Sequence, residues 1–199
     1  MKRWAMVVVV GVTSVLAFVQ SSAPGAFGDT SQGGASATET PAGPSSDWSA
    51  VTAADFNADG MSDILWFNSV TGRMTVWLME GAQLLVAGAE LPGPAGDGWA
   101  AVQAGDLNQD GMADVVWYNS TTGKLRIWLM EGTHLLAEGP EIQGPPGSGW
   151  LVPSVADFNR DGMQDVLLYS PSQRRVAVWL MNGAQLLAPG PLLPMPDRL

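Results

Sequence analysis

From Trp48 onward, short apolar runs alternate with clusters of Asp, Asn, Gly and Pro, and the whole alternation returns three times with a period of 51 residues. In the first period, residues 50–56 lead into a polar loop and residues 64–68 leave it. A turn over 69–72, a run over 74–79, a turn at 80 and 81 and a final run over 83–86 complete the unit. Runs of this length, rich in β-branched and aromatic residues and bounded by turn formers, predict strands. Connections this short make neighbours antiparallel, so each unit is expected to be a four-stranded meander. No stretch between these breakers sustains a 3.6-residue apolar period, so helix is not predicted.

The units align without gaps as 48–98, 99–149 and 150–199. They share Trp77-Leu78-Met79, Trp128-Leu129-Met130 and Trp179-Leu180-Met181, then Gly81, Gly132 and Gly183, then paired leucines at 84 and 85, 135 and 136, and 186 and 187. A fixed period of this length marks a solenoid, an array or a propeller. Segments 91–94 and 143–146, rich in Pro and Gly, are expected to break regular structure and link the units. The third unit departs from the others. Leu168 stands where the first two have Trp66 and Trp117, and Arg174 where they have Gly72 and Gly123, so its hairpin is expected to lose the easy positive-φ turn.

The polar loops carry the candidate chemistry. They read D-F-N-A-D-G-M-S-D from Asp55, D-L-N-Q-D-G-M-A-D from Asp106 and D-F-N-R-D-G-M-Q-D from Asp157. Oxygen-bearing side chains fall at positions 1, 3, 5 and 9, with glycine at position 6. Calcium takes about 6 to 8 oxygens in a flexible shell, and alternate residues of a short, sharply turned loop can supply them. The expected donors are Asp55, Asn57, Asp59, the Met61 carbonyl and Asp63. Their counterparts are Asp106, Asn108, Asp110, Met112 and Asp114, and Asp157, Asn159, Asp161, Met163 and Asp165. One such loop could be only an Asp-Gly turn. Three copies that each keep Asp at 1, 5 and 9 favour a cation, because a bare turn gains nothing from clustered carboxylates that repel one another. An EF-hand is excluded, since position 12 is Trp66, Trp117 or Leu168 instead of the bidentate Glu.

The string D-F-N-A-D-G-M-S-D-I-L-W-F-N-S-V-T-G, followed by T-V-W-L-M-E-G, resembles an FG-GAP or VCBS repeat, the blade unit of calcium-binding β-propellers including integrin-type heads and some lectins. The resemblance spans nearly all of 48–199. It implies an all-β fold of three tandem four-stranded antiparallel blades, about three calcium ions per chain at the loops, and a role in contacts with protein or carbohydrate. Propellers usually close with more than three blades, so the ring is expected to be incomplete. An open fan leaves one face of the first unit and one of the third uncovered. Those faces should be apolar, drawing on Val51, Ile64, Trp66, Val76 and Leu78, and on Val166, Leu168, Val178 and Leu180, with alternate residues facing opposite sides. Self-association, or a partner that supplies further blades, follows as an expectation.

The remaining features set compartment and exclusions. Lys2 and Arg3 precede an apolar run over 5–19 and then small residues, the layout of a secretory signal peptide over 1–28, with cleavage after Ser21 or Gly28 and an uncleaved anchor as the alternative. Residues 29–47, mostly Ser, Gly, Ala, Thr and Pro, read as a flexible spacer. A secreted, extracellular or periplasmic protein is expected, no longer membrane-bound after cleavage. The formal net charge of -10 becomes -12 once Lys2 and Arg3 are removed, which argues against nucleic acid as a partner. With no cysteine, metal is the available staple. Trp66, Trp77, Trp117, Trp128 and Trp179 are expected in blade cores, and Trp48, Trp99 and Trp150, which open the units, are the candidates for a surface role. His134, the only histidine, occupies the position of Gln83 and Gln185 and reads as an exposed polar substitution. No catalytic residues are expected, because the conspicuous carboxylates are repeated and assigned to metal. The alternative to an interaction module is a structural or accessory repeat domain, a truncated propeller with no ligand of its own.

Overall fold

Each period folds into one antiparallel sheet. The computed structural model describes residues 47–147 and 149–196; the expected signal peptide and all of the spacer except Asp47 lie outside the described residues. Blade 1 contains β1 (Trp48–Ala54), β2 (Asp63–Asn68), β3 (Arg73–Glu80) and β4 (Gln83–Ala87) as a meander, with β5 (Leu91–Pro92) added beside β3. Blade 2 repeats this with β6 (Trp99–Gly105), β7 (Asp114–Asn119), β8 (Lys124–Glu131), β9 (His134–Glu138) and β10 (Ile142–Gln143). Blade 3 does so with β11 (Leu151–Ala156), β12 (Asp165–Ser170), β13 (Arg175–Asn182), β14 (Gln185–Pro189) and β15 (Leu193–Pro194). The fold is all-β, and none of the three sheets closes into a barrel. Among the described residues no helix is long and apolar enough to cross a membrane.

The fifth strands correct the expectation that the Pro- and Gly-rich linkers lack regular structure. A register shift between Leu78 and Met79 turns β4 away, so that it pairs only with the end of β3, from Trp77 to Glu80. Arg73 and Met74 are left open at the start of β3, and the linker folds back to pair Pro92 and Leu91 with them. Proline is tolerated there because an edge strand leaves one side of its backbone unpaired. The same shift and the same return occur in blades 2 and 3.

β6 lies between β1 and β11, so these first strands line the inner side of the fan. Strand alternation gives each sheet two apolar faces, one toward the blade before and one toward the blade after. Phe56, Leu65, Phe67, Met74 and Val76 of blade 1 pack on Ala104, Val115, Trp117, Trp128 and Met130 of blade 2. One period later, Leu107, Val116, Tyr118, Leu125 and Ile127 pack on Val152, Val166, Leu168, Trp179 and Met181 of blade 3. Full burial of each large side chain stabilises the fold by roughly 1.5–3 kcal/mol, so these two seams hold the fan together.

The seams sort the residues expected on open faces. Val76 is buried toward blade 2, and Val51 and Leu78 pack on the same seam. Val166 and Leu168 are buried against blade 2 as well. Ile64, Trp66, Val178 and Leu180 stay partly exposed. Among the tryptophans, Trp117, Trp128 and Trp179 are buried, with Trp117 and Trp128 centred 4.9 Å apart. Trp66 and Trp77 form the matching pair in blade 1, at 5.2 Å, and are only half-buried. Trp150 is no surface residue: it is 2% exposed, and its Nε1 donates to the Pro146 carbonyl at 3.2 Å, because the linker before it folds into the blade 2 to blade 3 seam. Trp48 and Trp99 are half-buried, and Trp99 lies under the Arg126 guanidinium, 5.8 Å from the ring centre. His134 is exposed at the start of β9.

The third hairpin keeps a left-handed residue in spite of losing its glycine. Arg174 has φ 51°, against 68° at Gly72 and 70° at Gly123. The first two turns are tied by Asn68 and Asn119, whose Oδ1 atoms each accept two backbone N–H groups at 2.9–3.0 Å. In blade 3 Ser170 takes that position, and its Oγ accepts one N–H at 3.3 Å.

Candidate metal centre

The loop between the first two strands of each blade winds the same way three times. Position 4 is left-handed although it is never glycine, with φ 60° at Ala58, 64° at Gln109 and 66° at Arg160. Position 6 follows with φ 83°, 87° and 90° at Gly60, Gly111 and Gly162. This winding turns the loop amides toward the first carboxylate. In blade 1, Asn57 and Asp59 N–H donate to Asp55 Oδ1 at 3.2 and 3.3 Å, and Gly60 N–H donates to Oδ2 at 2.8 Å. Gly111 and Gly162 bond Asp106 and Asp157 in the same way, at 3.0 and 3.1 Å. Position 5 is locked next: Met61 N–H donates to Asp59 Oδ1 at 2.7 Å, and Asn57 Nδ2 to Asp59 Oδ2 at 2.9 Å. The corresponding bonds of Asp110 and Asp161 are 2.8 Å.

Position 9 belongs to a different environment. Asp63, Asp114 and Asp165 are 0% exposed. Asp63 Oδ2 accepts from Phe56 N–H and Oδ1 from Met79 N–H, both at 2.8 Å, so one carboxylate fastens the loop to β3. Asp114 does the same with Leu107 and Met130, each at 3.0 Å, and Asp165 with Phe158 and Met181 at 3.0 and 2.9 Å. Burial pushes the Asp114 carboxyl up to about 7, an effect the Met130 and Leu107 N–H groups oppose and the charges of Asp110 and Asp106 reinforce.

The structure therefore divides the expected donors. Positions 1, 3 and 5 share one hydrogen-bonded rim at the surface, while position 9 sits beneath it, tied to the backbone. Among the described residues, no three acidic, histidine or cysteine side chains are gathered into a metal-holding group. The donor chemistry of the rim still fits a hard cation: Asp, Asn and Asp oxygens alternate along a tight loop, and Asp55 Oδ2 and both Asp59 carboxylate oxygens, each accepting one hydrogen bond, retain a second lone pair. If calcium is held, Asp55, Asn57 and Asp59 and their counterparts would hold it, with the Met61, Met112 and Met163 carbonyls in reach by sequence position.

The loops also join blades. The Asp55 carbonyl accepts Ala113 N–H at 2.7 Å and the Phe56 carbonyl accepts Gly132 N–H at 3.0 Å; Asp106 and Leu107 accept Gln164 and Gly183 N–H, each at 2.9 Å. Beside the loops, along the inner strands, lies a polar cleft of ≈ 420 Å³ whose lining includes Asp55, Asp106, Gln103, Ser154 and Gln164. Reading the sequence alone misses the fastening role of position 9. A signal for it exists in the constant separation of 16 residues between that aspartate and the methionine ending Trp-Leu-Met. The left-handed position 4 leaves none, since Ala, Gln and Arg have no common preference for that conformation.

Repeated antiparallel blades that share a D-x-N-x-D-G-x-x-D loop define a propeller-type repeat protein. The FG-GAP-like repeat model matches residues 55–117 and again 106–168, together more than half of the chain, and the chain belongs to that family. No curated protein matches it significantly.

Proposed function

We propose that this chain is a secreted, calcium-binding repeat module that contacts protein or carbohydrate at the cell surface. The observation that carries it is the rim geometry: three loops present Asp, Asn and Asp oxygens from an identically wound backbone. Calcium would neutralise clustered carboxylates and stabilise the folded form by mass action. Nine of the 19 acidic residues are loop aspartates, so three bound ions would bring the chain without Lys2 and Arg3 from -12 to -6. Trp99 borders a second cleft, of ≈ 280 Å³, with Thr71 and Asp97, an aromatic and polar combination suited to a sugar.

One observation favours a purely structural role instead. The ninth aspartate and the loop carbonyls are already employed in holding strands and blades. Thermal unfolding with calcium and with a chelator, followed by a glycan array under both conditions, separates the readings. A melting temperature lowered by the chelator together with calcium-dependent glycan binding supports the module. Unchanged melting removes calcium from the account, and a blank array leaves a structural or protein-binding repeat.

A further inference from the structure

The two blade seams reveal an unfilled third. The forward face of blades 1 and 2 consists of five positions that are all 0–7% exposed: Phe56, Leu65, Phe67, Met74 and Val76, then Leu107, Val116, Tyr118, Leu125 and Ile127. One period on, the same face of blade 3 is Phe158, Leu167, Tyr169, Val176 and Val178. Phe158 is 48% exposed and the other four are partly exposed. The rear face behaves in the mirror sense. Val115, Trp117, Trp128 and Met130 of blade 2 are at most 2% exposed, whereas Ile64, Trp66, Trp77 and Met79 of blade 1 are partly exposed.

Backbone polarity repeats the complement. At each filled seam, the carbonyls of loop positions 1 and 2 accept two N–H groups of the following blade, one from loop position 8 and one from the glycine after that blade's third main strand. Blade 3 presents the corresponding acceptors at Asp157 and Phe158, and blade 1 the corresponding donors at Ser62 and Gly81. Among the described residues none of these four makes such a bond. The leftover forward face thus matches the leftover rear face in apolar positions and in hydrogen-bond sense, by the rule that builds both existing seams.

We propose that blade 3 docks on blade 1 of a second copy of this chain, head to tail, extending the fan with a seam like those inside it. Asp157 and Phe158 carbonyls then accept Ser62 and Gly81 N–H of the second copy, and Trp66 and Trp77 become covered. Such a seam is heterologous, so it either closes into a ring or continues. It requires neither calcium nor glycan, so its failure leaves the loop reading untouched.

The test measures mass by light scattering for the whole chain and for a chain starting at Asp29, which separates docking from association through the apolar run over 5–19. Both should show at least twice the mass of one chain, with Trp fluorescence less quenched by acrylamide than at high dilution. Val178→Glu closes the blade 3 face and Ile64→Glu the blade 1 face. Each variant alone should be a folded monomer by circular dichroism, and an equimolar mixture should form a two-chain species through the one seam still intact. A monomeric wild type overturns the proposal, and so does association that survives either substitution or a mixture that stays monomeric. If either glutamate variant fails to fold, Val178→Ala and Ile64→Ala take its place: a dissociation constant raised tenfold or more supports docking, and an unchanged one overturns it.

Discussion

Blade 2 and blade 1 carry nearly the same sequence pattern and experience different surroundings. Trp117 and Trp128 are 0% and 2% exposed, between Phe67 of blade 1 on one side and their own sheet on the other, while Trp66 and Trp77 at the same positions are partly exposed. The sheets themselves are alike in strand order and register shifts. What differs is the neighbour. In a repeat protein the stability of a unit is an intrinsic part plus an interface part, and blade 2 has two interfaces where each end blade has one.

The largest expected effect follows directly. Trp117→Ala opens a cavity in a closed seam and should cost about 3–5 kcal/mol in denaturant unfolding. Trp66→Ala removes a ring already in contact with water and should cost less than half as much, about 1–2 kcal/mol. Equal losses in the monomer would contradict the comparison, whereas docking of a second copy would level the two losses by covering the blade 1 face. For that reason the pair is measured at a concentration where the chain is monomeric.

Next in size is a pH dependence carried by Asp114 of the middle blade. The Asp114 carboxyl is raised from its ordinary 3.8 to about 7 by burial. Below about pH 4 it is protonated in both folded and unfolded chains, and its contribution to stability is fully present. Between about pH 4 and 7 the unfolded chain gives up a proton that the folded chain retains, so stability falls as pH rises across that window. Unfolding midpoints in the presence of a chelator should show this slope, and Asp114→Asn should flatten it. A slope that survives the substitution would assign the titration to other groups.

The smallest effect concerns blade 3. Arg174 holds φ 51° where blades 1 and 2 place glycine. A left-handed conformation costs a side-chain-bearing residue roughly 1–2 kcal/mol, part of which glycine returns as greater freedom in the unfolded chain. Arg174→Gly should therefore stabilise the protein by about 0.5–1 kcal/mol, and a loss of stability would show that the bond from its side chain to the Pro196 carbonyl at 3.2 Å matters more than the strain.

Much of this architecture was legible in the residues because each repeat states its pattern three times. The four main strands lie within a few residues of their expected limits: β2 covers Asp63–Asn68, against 64–68 from the apolar run, and β3 Arg73–Glu80, against 74–79. The fifth strands were hidden because their pairing is set by the register shift at Leu78, a property of the assembled sheet that no local propensity records. Which apolar residues face a neighbour was also ambiguous, since both faces of every sheet are apolar and the period of 2 only separates them into two sets. Val76 and Ile64 fall in different sets, and only the packing shows that the first is sealed and the second open. In the loops, residue types indicated a cation but could not show that Asp63 would be consumed by two backbone N–H groups while Asp55, Asn57 and Asp59 remained at the rim.

Calorimetric titration of the chelator-stripped chain with calcium reaches the central claim most directly, run beside Asp110→Ala, which removes the fifth-position carboxylate from the middle loop alone. About three ions per wild-type chain are predicted, and about one fewer in the variant, with the loops of blades 1 and 3 still binding. Absence of binding heat in the wild type, with an unfolding temperature that calcium leaves unchanged, would contradict the account and leave the three loops as hydrogen-bonded turns that hold the blades together.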